Sequence, residues 1–399
     1  MKSILAYSLL IALMLLPVLS YLLWHKQPGH QVNFAILDKT AQPTDEVKHT
    51  GITWILKNKN YRKPNGQLYH VGSDYLGPTP RNAGSTDFMI AALEHSRLSY
   101  IDSLAKKLNV LYCANMYGTH DNDWYPDTVV TEIPANLYGD LTYEDLYLVE
   151  QMKKHGKLII AELGMLSPPT DKKIRRLAQQ ELGIKWSGWA GCYFSSLDTA
   201  VSDQIPRWAI ELHKNQYRDG WNYSHGGIIL IHEDGKIIIL EDTKELARAV
   251  PTISATRYCR QQYSTTGSVH FPYWFEISQP IGEGMTTIAN FRIHTSPVGD
   301  SLLKTHNIPS QFPAVIEHKG SYWMHYYAGD FSAQSIGQAT ASFYGIEKIG
   351  AFLYDGHENS GEKFFWTFYR PLLGNVMRDY MQQTLYLQSD SLVINTALL

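Results

Sequence analysis

The stretch LTYEDLYLVEQMKKHGKLIIAEL, residues 141–163, holds a complete helix followed at once by a buried strand. Thr142 stands at the N-cap, Glu144 and Asp145 in the first turn, and Lys153 and Lys154 in the last. That placement caps the free backbone N–H groups and complements the helix dipole at both ends. Gly156 supplies the stop. KLIIAEL (Lys157–Leu163) then carries the apolar run LIIA (Leu158–Ala161) and reads as a buried strand. A helix leading into such a strand is the repeating unit of a parallel sheet.

Working outward, VNFAILD (Val32–Asp38) and NVLYCAN (Asn109–Asn115) read as two more strands, with helices over Asp45–Lys57 and Ser99–Leu108. Downstream, Ser167-Pro-Pro-Thr170 leads into a helix at Asp171–Leu182, and IKWSGWAGCYF (Ile184–Phe194) reads as the next strand. The fold class predicted is α/β: a mainly parallel, doubly wound sheet over residues 30–250. Val32–Leu37, Val110–Cys113 and Leu158–Ala161 are expected to be interior neighbours in it. Gly227–Leu240 is a hairpin turned at Glu233-Asp234-Gly235. Beyond Pro251 the pattern changes. Met285–His294, Ala314–His318 and Ser321–Ala328 read as antiparallel strands, Ser332–Phe343 as a helix, Lys348–Tyr354 as a strand, and Glu362–Leu385 as a long helix broken near Pro371. Residues 251–385 are therefore expected to form a mixed, partly antiparallel lobe packed on the first, with 386–399 as a tail.

At the other end, Lys2 is followed by ILAYSLLIALMLLPVLSYLLW (Ile4–Trp24), uncharged throughout and closed by His25 and Lys26. About 20 apolar residues span a bilayer as a helix, and Tyr21 and Trp24 fit its interfacial belt. The run exceeds the apolar core of a cleaved signal peptide and lacks the small residues of a cleavage site. Residues 1–28 thus read as an uncleaved, single-pass anchor in the cytoplasmic membrane, with the bulk of the chain outside the cytoplasm.

A formal charge of −3 over 399 residues gives no basic field for a phosphate backbone, so nucleic acid is not an expected partner. Charged residues make up 18%, against roughly 25% in typical soluble domains. Part of the difference is 26 Tyr and 10 Trp, which suit either an aromatic core or stacking on sugar rings. Cys113, Cys192 and Cys259 are widely spaced, allow at most one disulfide, and form no zinc-binding pattern. Cys113 and Cys192 read as small buried core residues. His357 has no partner histidine at ligand spacing, and neither a metal nor a cofactor is implied.

Phosphate-binding loops, dinucleotide-binding glycines, His-Glu-x-x-His and Gly-x-Ser-x-Gly are all absent. The positive signal is positional, since α/β sheets bind ligands beyond the carboxyl ends of their strands. That edge collects Asp38, Asn115, Tyr117, Glu162, Asp330 and Asp355. Paired carboxylates are what glycosyl transfer needs, so Glu162 with Asp38 or Asp330 are the catalytic candidates. Tyr117, Trp124, Trp186, Trp189 and Asp355 are the ligand-binding candidates. Acids at strand ends also begin turns, as Asp38 and Asp355 are placed to do. Glu162 is not a turn former, and it is expected to line a pocket near Asp38, Tyr117 and the Ser167–Thr170 loop.

ILDKT (Ile36–Thr40), LYCANMYG (Leu111–Gly118), GKLIIAEL with SPPT, WSGWAGCYF and AGDF (Ala328–Phe331) resemble segments of a group of uncharacterised bacterial envelope proteins. The first half of the chain resembles the class I glutamine amidotransferase-like, flavodoxin-like fold. The Gly-x-Cys-x-Gly and His-x-Glu motifs of that family's catalytic site are absent. The resemblance thus implies the fold with a degenerate site, reused to bind a glycan or an envelope protein. A carbohydrate hydrolase using the paired carboxylates is the alternative, and a structural subunit of a membrane complex is a third.

Overall fold

The computed structural model describes residues 2–40, 49–81, 88–120, 136–202, 204–217, 220–333, 336–353 and 361–397. Of residues 2–6, 8–13, 80, 88, 137, 351–353 and 385–397 it describes the backbone alone. One sheet of eight strands organises the chain. In spatial order it runs Ser268–His270, Thr252–Ala255, Thr286–Arg292, Gln311–Lys319, Trp323–Tyr327, Leu158–Glu162, Val110–Asn115 and Phe34–Asp38. The last four are mutually parallel, and the first five pair antiparallel. The fold is mixed α/β. The three expected neighbours do lie side by side, but Phe34–Asp38 is the edge strand rather than an interior one. The Trp323 strand joins the parallel set beside Leu158–Glu162, so strands from both sides of Pro251 share one sheet and one apolar core, which runs from Val32 to Tyr380.

The best-formed helix, Tyr143–Lys154, has a full capping box. The Asp145 amide donates to the Thr142 hydroxyl oxygen, and the Asp145 carboxylate accepts from the Thr142 amide. Ile184–Phe194 departs from expectation, because it leaves the parallel series. It pairs antiparallel with Gly227–His232 and Phe275–Pro280 in a second, four-stranded sheet that also holds Ile237–Glu241. The hairpin at Glu233-Asp234-Gly235 forms as read.

Lys348–Tyr354 was expected as a strand, yet Ile346–Leu353 is helical. In so short an apolar run periodicity does not separate the two states. Of the helix expected over Ser332–Phe343, a 3₁₀ turn at Gln338–Ser342 forms. The C-terminal helix passes through a π turn, Phe365–Tyr369, before continuing over Arg370–Ala397. The cause is Pro371, which has no N–H to give the carbonyl four residues back. That carbonyl, on Thr367, accepts from the Thr266 amide instead, at 2.9 Å.

Residues paired across parallel strands share a face of the sheet. Tyr112 is level with Ile36 and Ile160, and Glu162 is level with Tyr327, so Tyr112, Glu162, His325 and Tyr327 project to one side. The π turn and the C-terminal helix cover that side through Tyr369 and Tyr380. On the other side Tyr326 donates to Glu276 of the second sheet. Much of the aromatic surplus is interior: Tyr112, Tyr263, Tyr326, Tyr327 and Tyr369 are all fully buried.

The apolar N-terminal run forms one 24-residue helix, Lys2–His25. Among the described residues no helix is long and apolar enough to cross a membrane, so the expected anchor finds no support there. The side chains of residues 2–6 and 8–13 lie outside that set. The far end of the helix is fixed to the body. Trp24 is buried and its indole N–H donates to the Asn58 carbonyl, while Ser20 and Tyr344 exchange two hydrogen bonds.

Candidate functional site

Three polar groups occupy the carboxyl edge of the parallel strands. At the exit of Phe34–Asp38, the Asp38 side chain is sealed. Its Oδ1 accepts from the Thr40 amide and hydroxyl at 3.0 and 2.7 Å, and its Oδ2 faces His49 Nδ1 at 2.7 Å. The other ring nitrogen of His49 lies 2.7 Å from the Val71 carbonyl. Both Asp38 and His49 are fully buried. With an oxygen acceptor at each nitrogen, the ring is held by both and offers no free lone pair to a substrate.

The second group was not visible in the sequence. Lys39 follows Asp38 out of the strand and is itself 2% exposed. Its ammonium lies 2.6 Å from both Asp145, the capping residue above, and Glu94. Burial pulls the lysine pKa down, but the two carboxylates outweigh it and leave the ammonium above its ordinary value. Burial likewise pushes Glu94 up, and Lys39 more than reverses it. Tyr138 donates to Glu94 at 3.2 Å, and the half-buried Asp140 beside it is pushed up by burial first. Asp140 and His95 both have positive φ, at 79° and 64°, a conformation that L residues adopt at a cost.

The third group surrounds Glu162. Tyr112 donates to one carboxylate oxygen, and the amide and hydroxyl of Ser332 donate to the other at 3.2 and 2.9 Å. Tyr369, carried on the π turn, places its hydroxyl 2.7 Å from that of Tyr112. Complete burial, and then the nearby Asp330, push the Glu162 carboxyl well above the usual range. Asp330 is 4% exposed, and its amide donates to the Trp274 carbonyl.

Of the sequence candidates, Glu162 and Asp330 are thus neighbours, and Asp38 belongs to a separate group with His49. Tyr117 is at the same edge, half exposed, with its amide bound to Asn115 and its ring beside His120. Trp186 and Trp189 are elsewhere, buried on the second sheet, where the Trp186 indole N–H donates to the Trp189 carbonyl. Trp124, Asp355 and His357 lie outside the described residues. Cys113, Cys192 and Cys259 are buried, and burial pushes Cys113 far above the range of a nucleophile. Among the described residues no cluster of His, Cys, Asp and Glu could hold a metal ion.

His49, Lys39, Glu94, Tyr138 and Asp140 went unread in the sequence. The one signal available was the dipeptide Asp38-Lys39, a charge pair at a strand exit, and Asp145 in the first turn of the helix that receives it.

No family model and no curated relative matches the chain. Among solved structures it is similar to a glutamine amidotransferase from Thermotoga maritima, with 10% identity, a TM-score of 0.36, and coverage of 88% of this chain and 99% of that one. It is also similar to a cytoplasmic protein from Salmonella typhimurium, with 10% identity, 0.36, 87% and 98%. A third is a ThuA-like protein from Bacteroides uniformis ATCC 8492, with 11% identity, 0.32, 79% and 89%. Likenesses this distant say nothing of activity.

Proposed function

We propose that the protein is a membrane-tethered, extracytoplasmic accessory protein of cell-envelope or polysaccharide metabolism, which binds its ligand without turning it over. One observation carries the non-catalytic reading. All four carboxylate oxygens of Asp38 and Glu162 are occupied by donors from within the fold, and both side chains are fully buried. A general acid or nucleophile must reach its substrate within hydrogen-bond distance. These two serve the interior: they replace water for the backbone and hydroxyl groups around them.

The tether rests on the sequence from Ile4 to Trp24, which has no charged residue over a bilayer's length. Met14, Leu15, Leu16, Val18, Leu19, Leu22 and Leu23 are each at least 42% exposed, and no described residue covers them. A helix apolar all round needs a protein or lipid environment.

One observation favours the hydrolase reading. Glu162 and Asp330 are neighbouring carboxyl groups, and burial with Asp330 raises Glu162, the direction needed of the acid in glycoside hydrolysis. A single experiment separates the two. Full-length protein in detergent is mixed with envelope polysaccharides, and both bound polymer and newly formed reducing ends are measured. Binding without new reducing ends is expected. Reducing ends that vanish in Glu162→Gln would establish the hydrolase instead. The tether is checked on membranes before detergent is added: release of the protein by alkaline carbonate would remove it.

A further inference from the structure

Away from the strand exits, the second sheet carries a cavity of about 220 Å³ that none of the groups above uses. It lies where the helix Lys172–Leu182 crosses the bulge in Ile184–Phe194, and its walls include Lys172, Arg175, Arg176, Gln179, Trp186 and Glu233. The bulge between Trp186 and Ala190 turns on Gly188, whose φ is +92°. Helix geometry explains the charge. Lys172, Arg175, Arg176 and Gln179 recur at spacings of three and four, so they share one side of the helix, the side that borders the cavity.

Arg175 is fixed rather than mobile. Its guanidinium lies 5.3 Å from the Trp186 ring and 2.6 Å from the Glu233 carboxylate, and its side chain is 8% exposed. Lys172 and Arg176 are exposed on the rim. Three cations against one carboxylate leave the cavity positive in a chain whose formal net charge is −3. A concave site of one sign focuses its field on an incoming ion. Glu233 narrows the choice. Its carboxylate repels a compact dianion but accepts hydrogen bonds from hydroxyl groups, which Gln179 and Ser187 can also exchange. The volume is below that of a typical drug-sized pocket, so the occupant is small.

The geometry points to a binding site for one acidic sugar unit: a hexuronate whose carboxylate meets Lys172 and Arg176 and whose hydroxyls meet Glu233, Gln179 and Ser187. This deepens the binding reading above, on which it rests, by naming the ligand class and the place. It needs no catalytic group.

The test is a titration of full-length protein in detergent, followed by Trp fluorescence and calorimetry, with oligogalacturonate, a neutral oligogalactoside and inorganic phosphate as probes. Wild type is expected to bind oligogalacturonate in a salt-sensitive way and to ignore the neutral oligomer. The exposed double variant Lys172→Ala/Arg176→Ala should lose at least about tenfold in affinity, with an unchanged melting curve. Arg176→Lys should retain most of it. Equal binding by the double variant overturns the pocket while leaving the binding reading intact. Phosphate displacing the oligomer at comparable concentration overturns the sugar class. No binding of either oligomer overturns this site, and the accessory role then stands or falls on the envelope polysaccharides alone.

Discussion

Tyr112 gives its phenolic hydrogen to Glu162 from the neighbouring parallel strand, one pleat earlier in register. Side chains at that diagonal reach one another when one of them is long and aromatic. The pair sits between the sheet and the π turn, so neither member meets solvent.

A pH dependence follows from this pair. Glu162 is raised in the fold and ordinary in the unfolded chain, so the folded state binds the extra proton between those two values. Its contribution is complete below the unfolded pKa and is lost as pH rises through the folded one. Wild type should therefore lose more stability to denaturant than Glu162→Gln on going from pH 5 to pH 8. Parallel curves for the two would show that Glu162 is not raised in the fold. Tyr112→Phe, which leaves buried Glu162 and Tyr369 short of a partner, should cost about 1–3 kcal/mol at either pH.

His325 works in the opposite direction. Burial lowers its pKa to about 4, against the partial opposing pull of Glu317. A histidine neutral in the fold and charged when unfolded makes the unfolded state bind more protons as pH falls through its ordinary value of 6.5 toward 4. Acid should destabilise wild type through this window, and His325→Phe should unfold less steeply there in urea. A wild-type profile no steeper than the variant's would rule the assignment out.

Lys39 gives the largest expected loss. Lys39→Met strips the buried Asp145 of its counter-charge, and breaking such a pair typically costs about 3–5 kcal/mol. The double variant Lys39→Met/Asp145→Asn removes the orphaned charge and should recover part of that. Chemical denaturation of the four proteins in the cycle measures the coupling. Additive losses would mean that the two groups do not interact.

Gly188 tests the bulge. At φ +92° a side chain is strained, and a Cβ there would lie 2.5 Å from the His232 ring. Gly188→Ala should lower stability by about 1–3 kcal/mol and weaken oligogalacturonate binding as well. A neutral effect on the melting temperature would place the backbone at Gly188 in another conformation.

Element types were legible wherever one local signal dominated. The capping residues around Thr142 and the apolar runs of the parallel strands fixed those elements, because caps and burial act within a few residues. What failed was partner choice. Ile184–Phe194 looks like the next parallel strand from its own residues, but its neighbours are set by the hairpin and by Phe275–Pro280, far along the chain. Glu162 was singled out by position, and its surroundings were not readable. Ser332 and Tyr369 come to it from 170 and more residues away in sequence. Lys39 was missed for a related reason. A buried lysine is recognisable by its two carboxylates, and these arrive from separate segments.

The wide turn at Phe365–Tyr369 gives the last helix a reading frame. A π turn holds one residue more than the α-helix around it, and everything after it is phased to that surplus. Leu372, Leu373, Val376, Met377 and Tyr380 are the side chains that meet the core. Were every residue of Phe365–Tyr369 to wind as ordinary α-helix, the surplus one would rotate those five by about 100° off the sheet. Deleting one residue there would let the turn close to α geometry with the same five still facing the core. The wide turn is thus what absorbs an extra residue without turning the last helix to present the wrong side.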